Sequence, residues 1–408
     1  MEENENKHRE IDALLGNILK EPSLRDLFDK RVYELGLSER DVRRMLKLEY
    51  RTINGIIDGT QRRGDILSFK KLATFLNIPL DDFLEMHSSL AEANNADKNT
   101  VTQKKKFLKD NFDLAVLRKA GFINSLDNFD EIENKITLYF GLSSIFEYKK
   151  RAFNTAYWTG IVSQKSISKT SIVRDFWLTS AKILATKIDN PYIYIRQNLV
   201  AFFPQIRWFS TNEEFGLINV IKHLFSIGIT VIYQPKLSSL KLRGATFSVN
   251  NKPCIVITDY MGFYPTLWHC LIHELYHVLF DWDIINKDSN SYHISDDSEE
   301  LFTIDEREIE ADNFARRYLF SIEKMEEVKP HIYDYRYINE VARDNNVHPA
   351  IIHSYYAYDN GKKDRMAWIR AKRYMPDVKI AVHRLENNWD EVNSIEEVAK
   401  KLKMQIYN

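Results

Sequence analysis

Apolar residues recur at helical spacing over residues 24–86, in five short runs separated by polar stops. Leu24, Leu27, Phe28, Val32 and Leu35 form the first stripe, which Gly36 ends. Ser38 opens a second run carrying Val42, Met45 and Leu46, with Asp41 three residues on to complete a capping pair. A third run covers Glu49 to Ile57, a fourth holds Leu72, Phe75 and Leu76, and NIPLDDFLEM supplies the fifth. The spacing predicts a five-helix unit over residues 1–88. Residues 89–106 lose apolar periodicity and end in three lysines, the pattern of a linker. From 107 to 225 helical spacing returns with many aromatics, which predicts a helical connector. The period then shortens to two: GITVIYQ and RGATFSVNNKPCIVITDY read as strands, the last two joined by a turn at Asn250 and Asn251. The apolar run TLWHCLIHELYHVLFDW at 266–282 follows as a helix, then an acidic loop to about residue 304 and a helix DEREIEADNFARRYLF. The expected fold is multidomain and mainly α, with an α+β domain over 226–325 built on a small antiparallel sheet, and a helical extension over 326–408.

At 408 residues the chain exceeds what one hydrophobic core usually organises, which agrees with several domains. With 44% hydrophobic and 28% charged residues, the composition excludes a disordered chain. A net charge of -1 carries no global signal for nucleic acid or membrane, so such roles must come from local patches. Only Cys254 and Cys270 are present, so neither a disulfide framework nor a cysteine metal cluster is expected. No apolar stretch approaches the roughly 18 residues of a spanning helix, and the expectation is a cytoplasmic protein with no membrane role.

The 266–282 helix carries the candidate chemistry. His273 and His277 stand four apart and share a helix face, so both can turn a ring nitrogen to one ion. Glu274 sits beside the first, placed to take a proton from a water that the ion polarises. This is the spacing of zinc hydrolases, and Zn2+ is the expected cofactor. A third ligand must come from another element. The helix some thirty residues on offers Glu306, Glu308 and Glu310. Glu308 and Asp312 lie along its packed face beside Ala311 and Ala315; with Glu308 as ligand, Asp312 would orient a ligand histidine. Glu310 remains the alternative ligand.

HELYH followed by EREIEADNFA resembles the ImmA/IrrE family of zinc metallopeptidases. The resemblance implies a gluzincin-like peptidase fold, with Glu308 as third zinc ligand and Glu274 as general base. Two positions depart from the family pattern. Tyr276 stands where Gly or Ala is usual, either narrowing the cleft or pointing at the neighbouring helix. His269 stands where an aromatic is usual, and reads as a core residue or a support to the ligands.

The N-terminal stretch LSERDVRRMLKLEYRTINGIIDGTQRRGD is similar to the Cro/C1-type helix-turn-helix, a unit known in fusion with such peptidases. In that arrangement Tyr50, Arg51 and Asn54 are offered to base edges and Ser38, Arg62 and Arg63 to phosphates. The expected partners are a double-stranded DNA operator, read by a homodimer, and a repressor protein as peptidase substrate. The alternative is a non-hydrolytic DNA-binding sensor or antitoxin-like regulator whose zincin domain binds a ligand or partner.

Overall fold

The computed structural model describes residues 22–61, 65–148, 169–287, 292–296 and 306–407. The chain divides into two compact units, residues 1–106 and 107–408.

In the first unit the five expected helices are α1 (Leu24–Glu34), α2 (Glu39–Leu46), α3 (Tyr50–Ile57), α4 (Ile66–Leu76) and α5 (Leu80–Asn111). Ser23 and Ser38 open α1 and α2 with capping boxes closed by Asp26 and Asp41, and Asp65 caps α4. Leu24, Phe28, Val42, Ile53, Leu72 and Phe83 meet in the core. Between α2 and α3 the chain turns at Lys47, which takes a left-handed conformation (φ 50°) where glycine would be unstrained. Gly59 (φ 64°) ends the α3 turn, and a Cβ there would lie 2.8 Å from the Cβ of Leu90 on α5. His87, also on α5, is buried against Phe69 and donates from Nδ1 to the carbonyl of Ile56 at 2.8 Å.

Residues 89–106, expected as a linker, are instead the middle of α5. The stretch lacks an apolar stripe, yet it holds no Gly or Pro to break a helix and is rich in Ala and Lys. A polar helix needs no buried face to persist when both ends are anchored.

The second unit begins with α6 (Leu114–Lys119), α7 (Phe129–Phe140), α8 (Lys169–Ile188), α9 (Arg196–Phe209) and α10 (Gly216–Ser226). Strands β1 (Thr230–Tyr233), β2 (Leu242–Val249) and β3 (Lys252–Ile257) lead to α11 (Tyr264–Phe280) and α12 (Trp282–Ile285). After β4 (Tyr292–Asp296) come α13 (Glu306–Phe320), α14 (Ile322–Val328), α15 (Tyr335–Asp344), α16 (Pro349–Asn360), α17 (Ala367–Lys372), α18 (Val378–Val382) and α19 (Ile395–Leu402). The segments read separately as connector, peptidase core and extension share one hydrophobic core running from Leu108 to Tyr407. Trp177 of α8 and Trp389 near the C-terminus both donate their indole N–H to the same carbonyl, that of Pro235.

The sheet is mixed, not antiparallel as expected, with order β1-β3-β2-β4. β2 and β3 pair through the Asn250-Asn251 turn, where both residues have positive φ as a type I′ hairpin requires. β4, from within the expected loop, pairs antiparallel with β2, and β1 lies parallel to β3. A short apolar run such as TVIY carries no local mark of its partner's direction. Along β2 the period of two puts Gly244, Thr246 and Ser248 on the face toward α11 and α12, where each meets a residue of that segment.

Helix α9 holds Pro204 in its interior. The Tyr318 hydroxyl of α13 enters the turn that follows, donating to the Phe203 carbonyl and accepting from the Arg207 N–H at 3.0 Å. Residues 203 and 207 would otherwise bond directly, so α13 is stitched into the backbone ladder of α9.

Candidate metal centre

Helix α11 is apolar on nearly every side and is buried accordingly, from Leu267 and Trp268 to Val278 and Leu279. Within this run His273, Glu274 and His277 are fully enclosed, at 1%, 0% and 0% exposure. Buried polar groups need partners, and each has them. His273 Nδ1 lies 2.8 Å from Asp312 Oδ1, and His277 Nδ1 lies 2.8 Å from Asp281 Oδ2. A carboxylate only accepts, so each Nδ1 carries the hydrogen and each Nε2 of a neutral ring presents its lone pair.

Those two lone pairs converge on Glu308 of α13. His273 Nε2 is 3.1 Å from Glu308 Oε2, His277 Nε2 is 3.3 Å from Oε1, and the two nitrogens are 3.4 Å apart. Tetrahedral ligands about 2.0–2.1 Å from a zinc ion lie roughly 3.3 Å from one another. The donor set, its spacing and its facing lone pairs therefore fit a divalent cation. With no ion bound, the same carboxylates favour a proton on each Nε2, which a cation would displace: burial alone would lower both imidazole pKa values, but hydrogen bonds to carboxylates outweigh it. Asp312 and Glu308 raise His273 to about 9, and Asp281 and Glu308 raise His277 to about 10. The pocket favours positive charge at this point.

The supports continue outward. Asp312 also accepts from His269 Nε2 at 3.2 Å and Arg243 Nη1 at 3.4 Å, and His269 Nδ1 meets the Tyr355 hydroxyl at 2.8 Å. Burial opposes ionisation of Asp312, but the two histidines and Arg243 hold its carboxyl well below the usual range. Burial keeps the pKa of His269 low. Asp281 is gripped on its other oxygen by Arg307 of α13. Glu274 accepts on Oε2 from the Thr246 hydroxyl at 2.7 Å. Its Oε1 sits where a Cβ on Gly244 would be only 2.6 Å away, so strand β2 leaves room for the carboxylate by having no side chain there.

No protein-family model, curated protein or solved structure matches the chain. The resemblance to ImmA/IrrE peptidases thus rests on the sequence motifs alone.

The structure brings His273, His277, Glu308, Glu274 and Asp312 together. Glu310 is drawn aside: its Oε2 accepts from the Tyr276 hydroxyl at 2.7 Å, and Tyr276 packs on Phe280 and Phe314. Tyr276 therefore points at the neighbouring helix. Sequence reasoning missed Asp281, Arg307, Thr246 and Gly244. Asp281 had a signal, standing four residues after His277 at the helix end; the others meet the site only through the fold.

In the first unit, Arg51 is exposed and Tyr50 half-buried at the start of α3. Asn54 accepts from Arg25 at 3.0 Å, and Arg25 is held by Asp58, so one edge of the Asn54 amide is already engaged. Ser38 is taken up by the α2 cap. Arg62 and Arg63 lie outside the described residues. Among the described residues, no helix is long and apolar enough to cross a membrane.

Proposed function

We propose that the chain is a zinc-dependent endopeptidase joined to an N-terminal helix-turn-helix unit that binds operator DNA as a homodimer, with a repressor protein as substrate. The observation that carries the peptidase reading is the convergence of two imidazole lone pairs and the Glu308 carboxylate beside a held Glu274. Bound zinc would supply Lewis-acid polarisation of the attacking water and the scissile carbonyl. His273 and His277 keep fixed rings because Asp312 and Asp281 hold each Nδ1. Glu274 takes a proton from the water and passes it to the departing amine, while Thr246 keeps one carboxylate oxygen in place. The DNA-binding reading is supported by the five-helix unit and exposed Arg51; the repressor substrate rests on the family resemblance.

The enclosure of Glu274 and both imidazoles favours a second reading, a regulator whose metal site binds a ligand or partner without hydrolysis. One experiment separates them. Wild-type protein should contain one zinc per chain and His273→Ala little, and Glu274→Gln should keep zinc while losing repressor cleavage by about 100-fold or more. Undiminished cleavage by zinc-loaded Glu274→Gln would rule out the peptidase mechanism.

A further inference from the structure

Residues 361–375, GKKDRMAWIRAKRYM, hold six cations and one acid in a chain whose net charge is -1. They form the loop after α16, helix α17 and the turn that follows. Asp364 cancels only Arg370, with which it is paired at 3.1 Å. The neighbouring Asp359 is likewise occupied, by Arg316 at 2.5 Å. Lys362, Lys363, Arg365, Lys372 and Arg373 remain exposed, with no acidic partner within 4 Å among the described residues. Five such charges on a short segment hold a positive potential that draws a polyanion.

Aromatic rings border the same segment and are fixed in place. Tyr335, 57% exposed, stacks on Tyr374 at 5.7 Å and 20°. Tyr333, 54% exposed, is pinned through its hydroxyl to Arg370 and Asp364. Cations that track phosphates beside ring faces on which bases stack are the two components of a single-strand nucleic-acid site. An acidic peptide would use the charges and leave the rings idle.

We propose that this face, formed by α16, α17 and the Tyr333–Tyr335 turn, binds single-stranded nucleic acid independently of the helix-turn-helix. The test is fluorescence anisotropy of the full chain with a 20-nucleotide oligothymidylate over a salt series. Binding should survive Arg51→Ala with Asn54→Ala, which remove the proposed duplex reader. It should weaken at least about tenfold in Lys362→Glu, Lys363→Glu, Arg365→Glu, Arg373→Glu, with the salt slope falling by about 0.7 for each phosphate no longer neutralised. Tyr335→Ala should weaken binding about fivefold or more at unchanged slope. If the fourfold variant melts early, the Lys362→Glu, Lys363→Glu pair in the loop replaces it, with a smaller loss expected. Absent binding at moderate salt, equal binding by the charge-reversed protein, or stronger binding to phosphatidylserine vesicles than to the oligonucleotide would each overturn the proposal.

Discussion

A carboxylate with no exposed surface must have its charge met inside the protein, and Glu274 meets part of it through Thr246. Thr246→Val keeps the shape and removes the donor, leaving a buried oxygen short of a partner at a cost of about 1–3 kcal/mol in stability. The expected outcome is a cleavage rate reduced at saturating substrate with KM and zinc content unchanged, and recovery in Thr246→Ser. Gly244→Ala should be more severe, since its methyl would meet Glu274 at 2.6 Å and the Val256 carbonyl at 2.9 Å. Normal zinc content with normal cleavage in Gly244→Ala would show that Glu274 has no fixed position to lose. At this scale the site was legible wherever residues on one helix sufficed: His273, Glu274 and His277 follow from spacing, and Glu308 with Asp312 from small neighbours on a packed face. Thr246 and Gly244 were not, because their role arises from a strand packed across α11, a contact no local pattern encodes.

Among elements, the two turns around α3 set the stability of the first unit in opposite directions. Lys47 occupies a left-handed position that disfavours any side chain, so Lys47→Gly should stabilise by about 0.5–1 kcal/mol. Gly59→Ala should destabilise by about 2 kcal/mol or more, combining the same conformational penalty with the close approach of Leu90. Denaturant titration followed by circular dichroism reads both, and a gain for Gly59→Ala would contradict the packing of α5 on that turn. Helix starts were legible where the cap stood out, as at Ser38, whose pairing with Asp41 holds in space, whereas the caps at Ser23 and Asp65 emerge only from the structure. The middle of α5 was not, since missing periodicity reports a missing buried face and says nothing against helix. Strand direction was likewise hidden, as the parallel pairing of β1 shows.

For the whole molecule, two separate cores predict two unfolding events, and the candidate metal ligands belong to the second unit alone. Ligand binding to the native state alone stabilises by about 4 kcal/mol at a thousandfold excess over Kd. A chelator should thus lower the transition of the 107–408 unit by roughly 5–10 °C and leave the other where it was, as read by scanning calorimetry. A shift in both transitions, or in neither, would contradict a metal confined to α11 and α13. The joining of connector, core and extension in one unit was not visible in the sequence, because shared burial of Leu108, Trp177, Trp389 and Tyr407 depends on long-range packing.

The Tyr318 hydroxyl in the Pro204 turn ties this scale to the first. The hydroxyl bridges the Phe203 carbonyl and the Arg207 N–H just past the proline, so α13 is pinned to the backbone of α9. Glu308 rides on α13, a helix tied at Tyr318 to another helix's backbone. An ion bound at the proposed site would meet a ligand already on station and would have little ordering left to impose.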